Sequence, residues 1–253
     1  MRTIVIGDLQ GCHQEAVALM EKCKVTPTDR VIFAGDLVDR GPDPAKCVEL
    51  AMRREQIQGS RASVLGNHED RHLEYRHQED IGRDPNCVIP THVYTRTQLK
   101  TEHYEYMRSM PLFIRLPEYD AAVVHAGVYP GRPLEAQKPR HLLHIQMINP
   151  PNEESKWPSK CPPDSGWRFW THYWDGPERI IFGHSVLDKP LVTDKVVGID
   201  GGSCFGRQLH ALILPEWTIV SIDCPKDYGK GSRGRSNEAI KKILIHGDVS
   251  SFS

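Results

Sequence analysis

Three polar blocks, each directly after a short apolar run, restrict this chain to folds in which several strand ends converge. They are Gly7-Asp8-Leu9-Gln10-Gly11, Gly35-Asp36-Leu37-Val38-Asp39-Arg40-Gly41 and Gly66-Asn67-His68-Glu69. His125 and His184 follow apolar runs of their own. The runs cover residues 3–6, 30–34, 62–65, 121–124 and 179–182. They are short and mostly rich in β-branched residues, and read as buried strands. Helical patterns occupy 14–24, with Val17, Leu19 and Met20 on the apolar side, and 42–54, opened by Pro42 where a helix tolerates proline. Strand–helix alternation predicts an α/β fold with helices outside the sheet and ligands at the carboxyl ends of the strands.

The later part of the chain changes character. Residues 192–199, 209–214 and 218–222 read as successive strands without helices between them, which predicts a second sheet packed on the first. Residues 128–178 form a proline-rich insertion, expected to be largely loop, and 75–110 form a polar, helical one. At 253 residues the chain fits one domain, expected over 1–225. The remainder, 226–253, carries Lys226, Lys230, Arg233, Arg235, Lys241 and Lys242 among glycines and reads as a basic, flexible tail.

A formal net charge of −1 argues against electrostatic capture of nucleic acid or membrane, so neither is expected as a stable partner. Seven scattered cysteines without a Cys-x-x-Cys pair suit reduced thiols, and hence a cytoplasmic protein. The apolar run at 3–6 is too short for a secretory leader, and no run approaches a membrane span.

Asp8 and Asp36 each place a carboxylate at the end of a strand, and two such groups together call for a cation. Asn67, His125 and His184 add mixed oxygen and nitrogen donors of the kind that hold manganese, zinc or iron. Paired metals can turn a bridging water into hydroxide and clamp phosphoryl oxygens during in-line attack. His68 is then the candidate acid for the leaving oxygen, with Asp39 to orient it. Arg40 offers a planar fork that matches phosphate, and Arg71 could reach one from the same helix start as His68.

The set resembles the phosphoprotein phosphatase family of metallophosphoesterases, whose signature runs Gly-Asp-x-His-Gly, Gly-Asp-x-x-Asp-Arg-Gly, Gly-Asn-His-Glu. Val123-Val124-His125-Ala126-Gly127 and Ile181-Phe182-Gly183-His184 are similar to its two histidine blocks. Ile199-Asp200-Gly201-Gly202, followed by Gly206-Arg207-Gln208-Leu209, resembles the bacterial diadenosine-tetraphosphatase-like branch. The likeness spans about residues 3–222. It implies a two-sheet β-sandwich flanked by helices, the calcineurin-like fold, with two divalent ions. One would be held by Asp8, Gln10 and Asp36, the other by Asp36, Asn67, His125 and His184. His68 and Asp39 would form the acid pair and Arg40 would contact phosphate. Gln10 departs from the family's histidine. An amide there weakens the first site and favours manganese or magnesium.

The implied activity is metal-dependent hydrolysis of a phosphoester or phosphoanhydride, on a dinucleoside polyphosphate or related nucleotide. A serine- or threonine-phosphorylated protein is the competing substrate, and a non-catalytic phosphate binder is the reading from another class. His68-Glu69-Asp70-Arg71-His72 also fits the zinc-protease pattern His-Glu-x-x-His. That reading needs both histidines on one helix face and leaves both aspartate blocks unexplained, so His72 is expected to be an exposed helix residue. Trp167, Trp170 and Trp174 are spaced as a buried helix face. Trp157, in a proline-rich stretch, is free to stack on a base. Arg132, Arg140 and Arg207 read as surface charge or turn residues.

Overall fold

The computed structural model describes residues 1–87, 89–161 and 166–229. The first half runs β1 (Thr3–Ile6), α1 (His13–Lys22), β2 (Arg30–Phe33), α2 (Pro44–Gln58), α3 (Asn67–Asp80), α4 (Pro90–Gln98) and α5 (Thr101–Ser109). Then follow β3 (Phe113–Leu116), β4 (Ala121–Val124), α6 (Pro139–His144), β5 (Met147–Asn149), β6 (Asn152–Lys156) and β7 (Arg168–Phe169). The chain finishes with β8 (Arg179–Phe182), β9 (Leu191–Val192), β10 (Val196–Gly198), β11 (Gln208–Leu214) and β12 (Thr218–Asp223).

Two main sheets carry the fold, ordered β12-β11-β1-β2 and β3-β4-β8-β10-β9. The pairs β1–β2, β4–β8 and β8–β10 are parallel, so their carboxyl ends open together. Alternate residues point to opposite faces of a strand, and the sequence obeys this. Val5 of β1 meets Val123 of β4, Ile181 of β8 and Val197 of β10 in the layer between the sheets. Ile4 and Ile6 instead face Leu19 of α1, Val48 of α2 and Met107 of α5. Ala122 and Val124 turn outward against Leu142 of α6, Trp170 and Trp174. The result is the expected sandwich with helices outside.

Several expectations need correction. Residues 62–65 form no strand, only a single parallel bridge from Phe33 to Ser63. The run 192–199 is a hairpin, with β9 antiparallel to β10. The late strands do not make a sheet of their own. β10 joins the second sheet, while β11 adds antiparallel to the edge of β1 that β2 leaves open, and β12 follows it. The 128–178 insertion is less irregular than its prolines suggest: it holds α6 and a small sheet, β6-β5-β7. Trp170 and Trp174 are buried, but Trp170 opens a 3-10 turn, Trp170–His172, and Trp174 lies just past it, so they do not share an α-helix face. Most of the basic tail, 230–253, lies outside the described residues. No described helix is long and apolar enough to cross a membrane.

Candidate metal centre and acid pair

The strand ends gather the polar blocks at one edge of the sandwich. Asp8 follows β1, Asp36 follows β2, Asn67 and His68 open α3, His125 follows β4 and His184 follows β8. Close backbone packing makes this possible. A Cβ on Gly183 would lie 1.9 Å from Oδ1 of Asp8, and one on Gly66 would lie 2.2 Å from the amide nitrogen of Asp36. Asp36, Asp39 and Arg40 all adopt positive φ, at 49°, 74° and 61°. A left-handed backbone is costly for residues with a side chain. Glu69 latches the loop: its fully buried carboxylate accepts the amides of Asp36, Leu37, Val38 and Gly66 at 2.8–3.1 Å. This is the glutamate of the His-Glu-x-x-His pattern, and it is committed to backbone.

Asp36, His125 and His184 bring potential ligand atoms within 4.8 Å of one another. Nδ1 of His125 donates to the carbonyl of Ala34 at 2.8 Å, which leaves Nε2 of the neutral ring as a lone pair. Burial holds the ring neutral by lowering its pKa. That lone pair faces Oδ1 of Asn67 at 2.9 Å and Oδ1 of Asp36 at 3.3 Å. Nδ1 of His184 also points at Oδ1 of Asn67, at 2.9 Å. At His125 the acceptors Nε2, Oδ1 of Asn67 and Oδ1 of Asp36 face one another without a proton between them, which fits a cation, so the donor set suits a divalent metal. Asp8 is buried, accepts the amide of His184 at 3.0 Å, and has its pKa raised by burial and by Asp200 and Asp36. Gln10 is buried beside them. Its Nε2 points at Oδ2 of Asp36 over 3.4 Å, and its Oε1 receives the thiol of Cys204 at 2.6 Å.

His68 sits against Asp39, with Nδ1 to Oδ2 at 2.5 Å, and its Nε2 lies 3.7 Å from Oδ2 of Asp36. Burial works against protonation of this ring, but the carboxylates of Asp36 and Asp39 raise its pKa above the ordinary imidazole value. His72 is not exposed. It is fully buried and its Nε2 meets Oδ1 of Asp39 at 2.7 Å. Residues 68 and 72 share one helix face, as the protease pattern requires, but both turn that face to Asp39 rather than to a metal. His92 on α4, which the sequence reading passed over, adds a third imidazole, with Nε2 at 3.2 Å from Oδ2 of Asp39 and Nδ1 at 3.1 Å from the hydroxyl of Tyr75. Burial pushes His92 down to about 4, against the pull of Asp39. Burial opposes ionisation of Asp39, yet His72, His92 and the bond from His68 hold its carboxyl well below the usual range.

A cavity of about 740 Å³ opens over these groups, and Gln10, Asp36, Asn67, His68 and His184 share it with Arg40 and Arg71. Trp157, Phe169 and Phe205 also line it. The guanidinium of Arg40 lies 5.1 Å over the ring of Phe205. Trp157 is 57% exposed, and its indole leans over His184 at 6.0 Å. Arg132 and Arg140 instead pair with Glu153, and Arg207 with Asp188.

The calcineurin-like phosphoesterase family model matches residues 1–205. The chain belongs to that family. Its members use a dinuclear divalent site, for which this chain has candidate ligand groups. An asymmetrical bis(5'-nucleosyl)-tetraphosphatase, PrpE, from Anoxybacillus flavithermus is 27% identical, over 88% of this chain and 95% of that protein. A symmetrical bis(5'-nucleosyl)-tetraphosphatase from Janthinobacterium is 26% identical, over 91% of this chain and 99% of that one. A crystal structure provisionally assigned as a diadenosine tetraphosphatase superposes with a TM-score of 0.73 at 26% identity, over 88% of this chain and 93% of that one.

Proposed function

We propose that this phosphoesterase hydrolyses dinucleoside polyphosphates or a closely related nucleotide. One observation carries the reading: a single cavity is lined by the ligand cluster together with the aromatic rings of Trp157, Phe169 and Phe205. A concave pocket that sets aromatic side chains among convergent polar and charged groups suits a nucleotide better than an extended protein segment. The names of the two tetraphosphatase relatives support the same substrate class.

In this reading Asp8 and Asp36 hold one divalent ion, with Gln10 beside it. Asp36, Asn67, His125 and His184 hold the other. Such ions, when bound, neutralise phosphoryl charge and acidify a water to near-neutral pKa. Manganese is the ion we assign, since an amide at Gln10 in place of an imidazole leaves the first position rich in oxygen donors. Arg40 and Arg71 bind phosphate oxygens. His68 donates the proton to the leaving oxygen, and Asp39 orients its ring and favours its charged form. Trp157 stacks on a base. All seven thiols are free, which supports a reducing, cytoplasmic setting.

The deciding experiment compares turnover of diadenosine tetraphosphate and of a phosphoserine peptide by one manganese-loaded preparation. The reading expects the nucleotide to have the higher kcat/KM and the nucleotide activity to vanish with chelator. A higher kcat/KM on the peptide would overturn the substrate assignment. Activity on neither, nor on an aryl phosphate, would favour the non-catalytic binder.

A further inference from the structure

Asp39 meets three imidazoles, and one of them comes from outside α3. His68, His72 and Tyr75 lie at i, i+4 and i+7, so one face of α3 carries all three. His92 reaches the same carboxylate from α4, where it is 7% exposed. That helix is fastened on two sides. The hydroxyl of Tyr94 donates to the carbonyl of Pro42 at 2.7 Å, just past the 35–41 loop, and Arg96 pairs with Glu79 of α3.

The protons of the cluster follow from its geometry. Burial opposes ionisation of Asp39, but its three imidazoles hold the carboxyl well below the usual range. Each ring nitrogen turned to the carboxylate must therefore donate: Nδ1 of His68, Nε2 of His72 and Nε2 of His92. Burial pushes His92 down to about 4, so at neutral pH its ring has a single N–H. With that proton on Nε2, Nδ1 is a lone pair, and the hydroxyl of Tyr75, 3.1 Å away, donates to it. Tyr75 is buried as well, and burial pushes its phenol up to about 12, which keeps the hydroxyl protonated. The chain of bonds runs one way, from Tyr75 to His92 to Oδ2 of Asp39.

Oδ2 is also the oxygen that takes the 2.5 Å bond from His68. A carboxylate turns about its Cβ–Cγ bond in a broad well and does not set its own plane. His72 holds Oδ1, and His92 holds Oδ2 from a second helix. An apolar side chain would fill the space beside Asp39 but would supply no donor. We infer that His92, aligned by Tyr75, is a positioning residue that locks the Asp39 carboxylate in the orientation from which it directs His68. It acts through Asp39 rather than on the phosphate. The inference rests on the acid role given to His68 and Asp39, but on neither the identity of the metal nor the nucleotide.

The test measures kcat and KM for phenyl phosphate and 4-nitrophenyl phosphate on the manganese-loaded full chain. His92→Phe should lower kcat on phenyl phosphate by about 10-fold or more, part of the roughly 10²–10⁴-fold that general acid catalysis supplies. On 4-nitrophenyl phosphate, whose leaving group needs no proton, the loss should stay within about threefold, and KM should hold on both esters. His92→Gln, whose NH2 can reach the position of Nε2, should recover most of the loss. Tyr75→Phe should lose less than His92→Phe, and the double variant should lose no more than His92→Phe alone, because Tyr75 acts through His92. Nitrogen-15 NMR of the imidazoles in the native, magnesium-loaded chain should find the His92 proton on Nε2. That readout needs neither turnover nor a variant, so it stands even where His92→Phe folds poorly. A proton on Nδ1, an equal loss of kcat on both esters, a loss carried by KM, or losses that multiply in the double variant would overturn the assignment. If Asp39→Asn itself shows no dependence on the leaving group, the acid pair falls and the role of His92 falls with it. If Asp39→Asn shows that dependence and His92→Phe does not, the acid pair stands and the role of His92 alone is refuted.

Discussion

Replacing Asp39 by asparagine should separate the acid pair from the metal ligands. Asp39 is fully buried; its Oδ2 meets His68 at 2.5 Å and His92 at 3.2 Å, and its Oδ1 meets His72 at 2.7 Å. A carboxamide keeps only one acceptor. The least damaging orientation leaves the carbonyl oxygen at the Oδ2 position, where two imidazoles converge, and turns the NH2 toward Nε2 of His72. That nitrogen must then accept, so the proton moves to Nδ1 of His72, which is buried without a partner among the described residues. A buried unsatisfied N–H costs about 1–3 kcal/mol, and losing the charge on the remaining bonds adds roughly 1 kcal/mol. The variant should therefore be about 2–4 kcal/mol less stable in urea unfolding, yet still folded.

The kinetic effect should depend on the leaving group. Without Asp39 the His68 imidazolium loses an orienting partner and one of the carboxylates that favour it. General acid catalysis is typically worth about 10²–10⁴-fold. That loss should appear in full on phenyl phosphate, whose departing phenol has a pKa of about 10. It should shrink to less than about tenfold on 4-nitrophenyl phosphate, which leaves readily as an anion. Both esters are assayed at one saturating manganese concentration. An equal loss on both, or a phenyl phosphate kcat within about threefold of native, would refute the role given to His68 and Asp39.

Glu69→Gln should cost about 2–4 kcal/mol in denaturant unfolding, because a carboxamide accepts on one side only and strands two of the four loop amides. Trp157→Ala should raise KM for diadenosine tetraphosphate by about tenfold with little change in kcat, the scale of one lost base stack; an unchanged KM would remove Trp157 from the binding site. Asp29 accepts Arg2 through both oxygens, along with the amide and hydroxyl of Thr26, and its carboxyl is held down at about 2, led by the Arg2 bond. A depressed carboxyl stabilises the fold above its unfolded pKa, and that contribution is lost as pH falls toward 2. The destabilisation by Asp29→Asn should therefore be about 1–2 kcal/mol at pH 7, after allowance for the part-exposed Arg2, and shrink between pH 4 and pH 2.

Legibility in the sequence followed the range of the interactions involved. Strands β1, β2, β4 and β8 were readable because burial on both faces leaves an uninterrupted apolar run. The 62–65 run looked the same but only bridges Phe33, since its chain turns at once into α3. The motif residues at 8, 36, 67, 68, 125 and 184 could be found because their spacing is local and their neighbours are glycines. His72 and His92 could not. Nothing in residues 70–74 says that the ring turns inward, and His92 belongs to a polar helix whose contact with Asp39 spans more than fifty positions. Asp200 was visible as part of a resembling segment, but its burial depends on how β10 lies against β8.

The loop at 35–41 shows how the parts depend on one another. A turn with three left-handed side-chain-bearing residues is unfavourable by itself, on the order of 1 kcal/mol or more for each. It puts Asp36 toward the metal ligands, Asp39 toward three imidazoles and Arg40 into the cavity, which no regular turn of that length does. Two residues of α3 hold it: Glu69 takes the amides of Asp36, Leu37 and Val38 together with that of Gly66, and His68 caps Asp36 by donating its own amide to Oδ1 at 3.0 Å. In the proposed mechanism the consecutive pair His-Glu therefore splits its labour, the histidine toward chemistry and the glutamate toward the strained loop opposite. The zinc-protease spacing arises here from that division. One helix turn on, His72 returns to the same face and reaches the same aspartate, so in the proposed mechanism the second histidine of the pattern supports the acid pair and leaves the metals to the strand ends.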